Sequence, residues 1–170
     1  MSIDPGFKRL GFAMWVDGKL TDSGVTGIER ESDKEPWTDY ISRGVLFFSD
    51  FFNSYIRSTQ PRPDKIIVEQ LPPISSSPTF NNSAQITLVF CAISALIIQA
   101  NNFGVPIEWI SSQEWKKKLF DDVKITKAKV RSNILTQFPD IKSGRRIGEI
   151  PFDQTDAIAI GWSQIYDNSD

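Results

Sequence analysis

Residues 1–15 read MSIDPGFKRLGFAMW. Asp4 follows an isoleucine, precedes Pro5-Gly6 and leads into the apolar run that begins at Leu10. Charged residues are poor strand formers. One that closes a short strand just before a turn is either an ordinary turn residue or a carboxylate placed at a strand end. Asp, Pro and Gly are all common in turns, so Asp4 cannot be assigned until the other acids are placed. The next residues begin to fix the fold. Asp17-Gly18 stands between two apolar runs, within LGFAMWVDGKLTDSGVTGI, and is a two-residue hairpin signal. With MSID ahead of it, this predicts a meander of three strands.

Further along, PWTDYISRGVLFFSDFFNSYIRS carries Trp37, Ile41, Val45, Phe48, Phe52 and Ile56 at helical spacing and reads as one long amphipathic helix. PDKIIVEQLPP is a short buried strand bounded by prolines. SAQITLVFCAISALIIQANNFG is a helix that ends at Gly104, and VPIEWIS is another strand. SSQEWKKKLF and TKAKVRSNILTQF are helices, the second with Thr126 as N-cap. DQTDAIAIGWSQIY is the last helix. The expected order is β-β-β-α-β-α-β-α-α-α, a mixed sheet with helices against it. PPISSSPTFNNS is the one loop-like stretch inside the chain.

A length of 170 residues predicts a single domain over 1–170 with a real core. The single cysteine, Cys91, excludes an internal disulfide and fits a reducing compartment. The N-terminal residues lack the long apolar core of a secretory signal. The longest apolar stretch is too short for a spanning helix, so no membrane partner is expected. With no histidine and one cysteine, His-based catalysis and His-ligated zinc drop out. What remains for a metal is carboxylate with Mg2+ or Mn2+. The net charge of −2 hides an asymmetry. Residues 116–146 hold ten Lys and Arg against three acids, a surplus of seven positive charges, which leaves −9 on the remainder. A basic block on an acidic body suggests a polyanion partner; a solvated helical face is the alternative.

Four acids sit at positions that bear on chemistry. Asp4 ends the first strand, and Glu69 ends the fourth, directly after KIIV. Asp153 and Asp156 open the last helix at spacing i, i+3, on one face and one turn apart. Each has a structural reading: Glu69 as a solvated strand end, Asp153 as an N-cap beside the helix dipole. Asp156 is harder to read that way, because AIAIGW follows it and marks the region as packed. Two strand ends and one helical face can converge at one end of a sheet. Four carboxylates close together repel one another and stay ionised only beside cations. Two divalent ions about 4 Å apart can activate a water and stabilise the leaving oxygen of a phosphodiester.

SIDPGFKRLGFAMW, IIVEQ and DQTDAIAIGW, in this order, resemble the RuvC-like Holliday junction resolvases of the ribonuclease H-like superfamily. VPIEWISSQEWKKKLF followed by TKAKVRSNIL resembles that family's basic region, and the match covers nearly the whole chain. The resemblance implies an α/β fold, a ribonuclease H-like mixed five-stranded sheet flanked by helices. It implies a magnesium-dependent homodimer, with Mn2+ able to substitute and two ions per subunit, that cuts two opposed strands of a four-way DNA junction. Carried over, Asp4, Glu69, Asp153 and Asp156 are the catalytic metal ligands. Some relatives have a histidine where this chain has Asp153. Relatives also carry several residues ahead of Ile-Asp-Pro-Gly where this chain has only MS, so the first strand is read as clipped. Lys116 and Lys127 match the family's basic positions, with Lys117, Lys118, Lys124, Arg131 and Arg145 as further DNA contacts. Phe80 lies in the loop where the family carries an aromatic that can enter the opened crossover; packing under its own loop is the alternative. Compact phage relatives differ in which branched DNAs they cut.

The helix after Ser83 is apolar on nearly every face, which means burial on two sides. One side meets the sheet. The other either completes the core or meets a twin in a two-fold dimer that presents two sites to a symmetric junction. The competing functions are a related nuclease for flaps or forks, a junction-binding protein without catalysis, and an actin-like ATPase, for which Gly-rich phosphate loops are wanting. The expected compartment is the cytoplasm, as nucleoid-associated protein or in an infected host, or else an organelle.

Overall fold

The computed structural model describes residues 1–71, 83–141 and 150–166. Its elements follow the expected order: β1 (Ser2–Asp4), β2 (Leu10–Val16), β3 (Lys19–Thr26), α1 (Trp37–Ser58), β4 (Ile66–Glu69), α2 (Ser83–Asn102), β5 (Ile107–Ile110), α3 (Ser112–Phe120), α4 (Lys127–Gln137) and α5 (Phe152–Ile165). The five strands form one mixed sheet in the order β3-β2-β1-β4-β5. β1, β2 and β3 are antiparallel neighbours, and β1, β4 and β5 run parallel.

Local chemistry sets the boundaries. Asp17 and Gly18 both take positive φ, 48° and 73°, which is the twist a two-residue hairpin turn requires. Gly104, at φ 68°, ends α2. Ser111 caps α3 in a reciprocal capping box with Glu114, and the Thr126 hydroxyl accepts from the Lys129 N–H at the start of α4.

The strands alternate their side chains between two cores. Ile3, Leu10, Met14, Ile66 and Val68 face α1 and α2, where Tyr40, Phe48, Phe52 and Ile56 are fully buried. Each such side chain contributes about 1.5–3 kcal/mol. Ala13 and Ile67 face the other way, toward Trp115, Val130, Ile134 and the apolar run Ala157–Ile160 of α3, α4 and α5. α2 is apolar on both sides. Leu88, Ala92, Ala95, Leu96 and Ala100 are buried in the first core, whereas Phe90, Ile97 and Ile98 are 48%, 43% and 56% exposed on the outer side. Among the described residues, no helix is long and apolar enough to cross a membrane.

Candidate active site

Asp4 and Glu69 are the last residues of adjacent parallel strands. The register pairs Ser2 with Ile67 and Ile3 with Val68, so the next step brings Asp4 beside Glu69. Strand alternation puts both carboxylates on the side of Ser2 and Ile67, facing the α5 layer. On its other side Asp4 pairs with Gly11 of β2. A Cβ on Gly11 would lie 1.9 Å from the Asp153 carbonyl oxygen. Gly11 thus lets the first turn of α5 sit directly on the sheet, next to Asp4.

Three further contacts hold α5 there. The Ser2 hydroxyl donates to the Ala157 carbonyl at 2.7 Å and accepts from the Trp15 indole at 3.3 Å. Gly161 makes room for both groups, since a Cβ would meet Trp15 at 2.0 Å and Ser2 at 2.5 Å. Gln154, fully buried between the two α5 acids, donates to the Ser23 hydroxyl of β3 at 3.0 Å.

The electrostatics report the convergence. Burial pushes the Asp4 carboxyl well above the usual carboxylate range, and the charges of Glu69, Asp156 and Asp153 add to the shift against Lys127. Glu69 is raised by burial and then by Asp156, while Lys116, the Trp115 indole and Lys127 oppose the rise. Asp156 is also raised, by burial foremost, with Lys127 opposing. Burial works against the Lys127 charge, but Asp156, Asp4 and Asp153 outweigh it and raise that ammonium's pKa. Its Nζ stands 2.9 Å from Asp156 Oδ2. The second oxygen, Asp156 Oδ1, is buried with no hydrogen-bond partner.

Sequence reasoning named all four acids, and the structure brings them to one end of the sheet. An all-carboxylate donor set with an orphaned buried oxygen fits a hard divalent cation. Asp4, Glu69, Asp153 and Asp156 are the acids that converge there. Among the described residues, no group of three or more His, Cys, Asp or Glu side chains is already arranged around one ion position; a lysine rather than an acid stands against Asp156.

The basic block divides. Lys116 is half-buried with its ammonium 5.2 Å over the Trp115 ring, close enough to act on Glu69 and Asp156. Lys127 faces the carboxylates, and Lys117 pairs with Asp121. Arg131 is half-buried, stacked 4.5 Å over Phe152 and bonded to the Ile150 carbonyl, so it braces the entry to α5. Lys118 and Lys124 are exposed. Phe80 and Arg145 lie outside the described residues, as do Lys142 and Arg146. Gly11, Ser2, Gln154 and Trp115 were not singled out from sequence. Gly11 carried a usable signal, because an isolated glycine inside a strand marks a close backbone approach.

No protein-family model and no curated protein matches the chain. Solved structures do. A Thermus thermophilus RuvC structure shares 23% identity over 95% of this chain and 89% of that one, with a TM-score of 0.62. T. thermophilus RuvC in complex with Holliday junction substrate shares 20% over 95% and 88%, at 0.65. The yeast mitochondrial Holliday junction resolvase Ydc2 shares 15% over 96% and 75%, at 0.58. The chain has the fold of these proteins, the ribonuclease H-like sheet expected from the sequence.

Proposed function

We propose that the chain is a metal-dependent, structure-selective endonuclease that resolves four-way DNA junctions by paired, symmetric phosphodiester hydrolysis. The observation that carries this reading is the gathering of Asp4, Glu69, Asp153 and Asp156 at one sheet end, each acid acting on the Asp4 carboxyl. The fold it shares with RuvC in complex with Holliday junction substrate supports the choice of DNA. These four acids are the metal ligands, and Mg2+, or Mn2+ in its place, is the cofactor, two ions per subunit. Such ions supply an activated water and stabilisation of the leaving oxygen.

The chain's own residues do the rest. The two strand ends and the first turn of α5 fix the carboxylates on rigid elements. Lys116 and Lys127 set positive charge beside them for the scissile phosphate, and Lys118 and Lys124 extend that charge outward along the DNA. Phosphate contacts of this kind position the substrate and carry no sequence information. Two subunits, joined through the outer face of α2, bring one site to each of two opposed strands. The chain works as a single nuclease unit over 1–170 in a reducing, cytoplasm-like compartment, consistent with its one cysteine.

The test compares cleavage of four-way, three-way, flap and linear DNA in Mg2+ by the wild type and by Asp4→Asn, Glu69→Gln, Asp153→Asn and Asp156→Asn. Paired cuts in the four-way substrate are expected. Each variant should lose about 100-fold or more in rate while still binding the junction. Undiminished cleavage by any variant removes that residue from the site. Equal cutting of flaps or forks makes the protein a general branched-DNA nuclease.

A further inference from the structure

Trp115 is the largest fully buried side chain among the described residues, 1% exposed, on the first turn of α3. It belongs to the buried cluster that also holds Ile110, Ile125, Val130, Ile134 and Ile158. Its Nε1–H nevertheless has no hydrogen bond of ordinary geometry. A buried indole N–H usually finds a partner, and leaving one unmade costs the full desolvation of the group. A phenylalanine would fill most of this volume without that cost, so the indole nitrogen asks for an explanation.

The surroundings supply one. β5 ends at Ile110, which pairs with Glu69, and Ser111 at once caps α3. Trp115 follows one turn later, on the same side of the sheet as the Glu69 side chain. The indole N–H thus lies within reach of that carboxylate, and Lys116 stacks on the same ring.

We propose that Trp115 is a positioning residue for Glu69: its indole N–H engages one carboxylate oxygen and leaves the other for the cleft where Asp4 and Asp156 converge. The proposal deepens the nuclease reading and rests on Glu69 being a metal ligand. Partners that orient a ligating group from behind set metal affinity, and losing one typically costs 10–100-fold. Trp115 would do so with no charge of its own and without touching substrate.

The experiment uses the whole chain labelled with 15N-tryptophan, whose five indole N–H groups give separate resonances, together with calorimetric titration of Mn2+. Trp115→Phe assigns the Trp115 resonance. If that variant does not fold, Trp15→Phe, Trp37→Phe, Trp109→Phe and Trp162→Phe assign it by elimination. Glu69→Gln, without metal, should move the Trp115 signal more than the other four. Trp115→Phe should bind Mn2+ about 10-fold more weakly or worse. An indole signal indifferent to Glu69→Gln overturns the proposal, as does Mn2+ affinity in a folded Trp115→Phe within about twofold of wild type. A wild type that binds no Mn2+ while its Trp115 signal follows Glu69→Gln keeps the contact and overturns the nuclease reading instead.

Discussion

The Lys127 ammonium stands 2.9 Å from Asp156 Oδ2, one cation set into a group of mutually repelling carboxylates. The Asp156 side chain is 6% exposed and that of Lys127 59%, so water reaches one end of the pair only. Removing the lysine leaves a buried acid with only Lys116 as a counter-charge and, at Oδ1, no hydrogen bond.

Lys127→Ala should therefore destabilise the metal-free protein by about 1–2 kcal/mol, between the values typical of exposed and buried pairs. Urea unfolding in EDTA measures this. Excess Mg2+ should return part of the loss, because an ion among the same carboxylates replaces the missing charge and binds only the folded state. A Lys127→Ala protein as stable as wild type would show that the pair carries no weight.

Asp4, Glu69 and Asp156 all have folded-state pKa values raised above their ordinary ones of 3.8, 4.5 and 3.8, chiefly by burial. A raised acid holds its proton more tightly in the folded than in the unfolded chain, so protonation favours the fold. That contribution is present at low pH and disappears as pH climbs from the ordinary values through the raised ones. Asp4→Asn removes the most raised of the three. In EDTA its Tm should exceed that of wild type at neutral pH, by about 2–4 °C for each kcal/mol regained. The gap should close as pH falls toward about 4. Calorimetry of both proteins across that range decides it, and a gap that does not change with pH would show that Asp4 is not strained by its neighbours.

Much of this site was legible because strand ends and helix starts are local features. Asp17-Gly18 announced the hairpin through its own turn chemistry, and Asp153 and Asp156 share a face by spacing alone. Asp4 and Glu69 were placed by the apolar runs before them. The parts that escaped are non-local. Gly11 matters because the Asp153 carbonyl rests on it, and periodicity tells which way a residue faces, not what faces it. The basic block read as one surface, yet its members part company. Lys116 and Lys127 turn toward acids, Lys117 is taken by Asp121, and Arg131 lies on Phe152. Charge counting cannot separate these, since each outcome depends on a partner brought in by the fold.

Gly11→Ala tests the close approach directly. The new methyl would overlap the Asp153 carbonyl, and both partners are backbone, so α5 must withdraw from β2. Overpacking of this kind costs about 1–3 kcal/mol. The larger effect should fall on cleavage, because a shift of about 1 Å in reacting groups can cost about 100-fold. Junction binding, carried by lysines on other elements, should persist. Cleavage by Gly11→Ala at the wild-type rate would show that the α5 acids need no such contact.

The outer face of α2 gives the last prediction. Phe90, Ile97 and Ile98 are spaced to form one stripe along the helix, and Val45 and Leu46 of the neighbouring α1 are exposed at 36% and 66%. Both helices lie on the layer opposite the carboxylates' α5 side. Burying such side chains contributes about 1.5–3 kcal/mol each, against a cost of association of about 4–15 kcal/mol, so several must engage together. A two-fold contact engages each of them twice. The dimer should form without DNA or metal, since neither touches this face, and light scattering at micromolar concentration should give twice the 19.2 kDa chain mass. Ile98→Asp places a charge on the stripe. It should give the single-chain mass with unchanged circular dichroism, because the side chain is 56% exposed. Its junction products should then change from paired cuts to single nicks. A wild type that scatters as a single chain removes the dimer, and paired incision through this face with it.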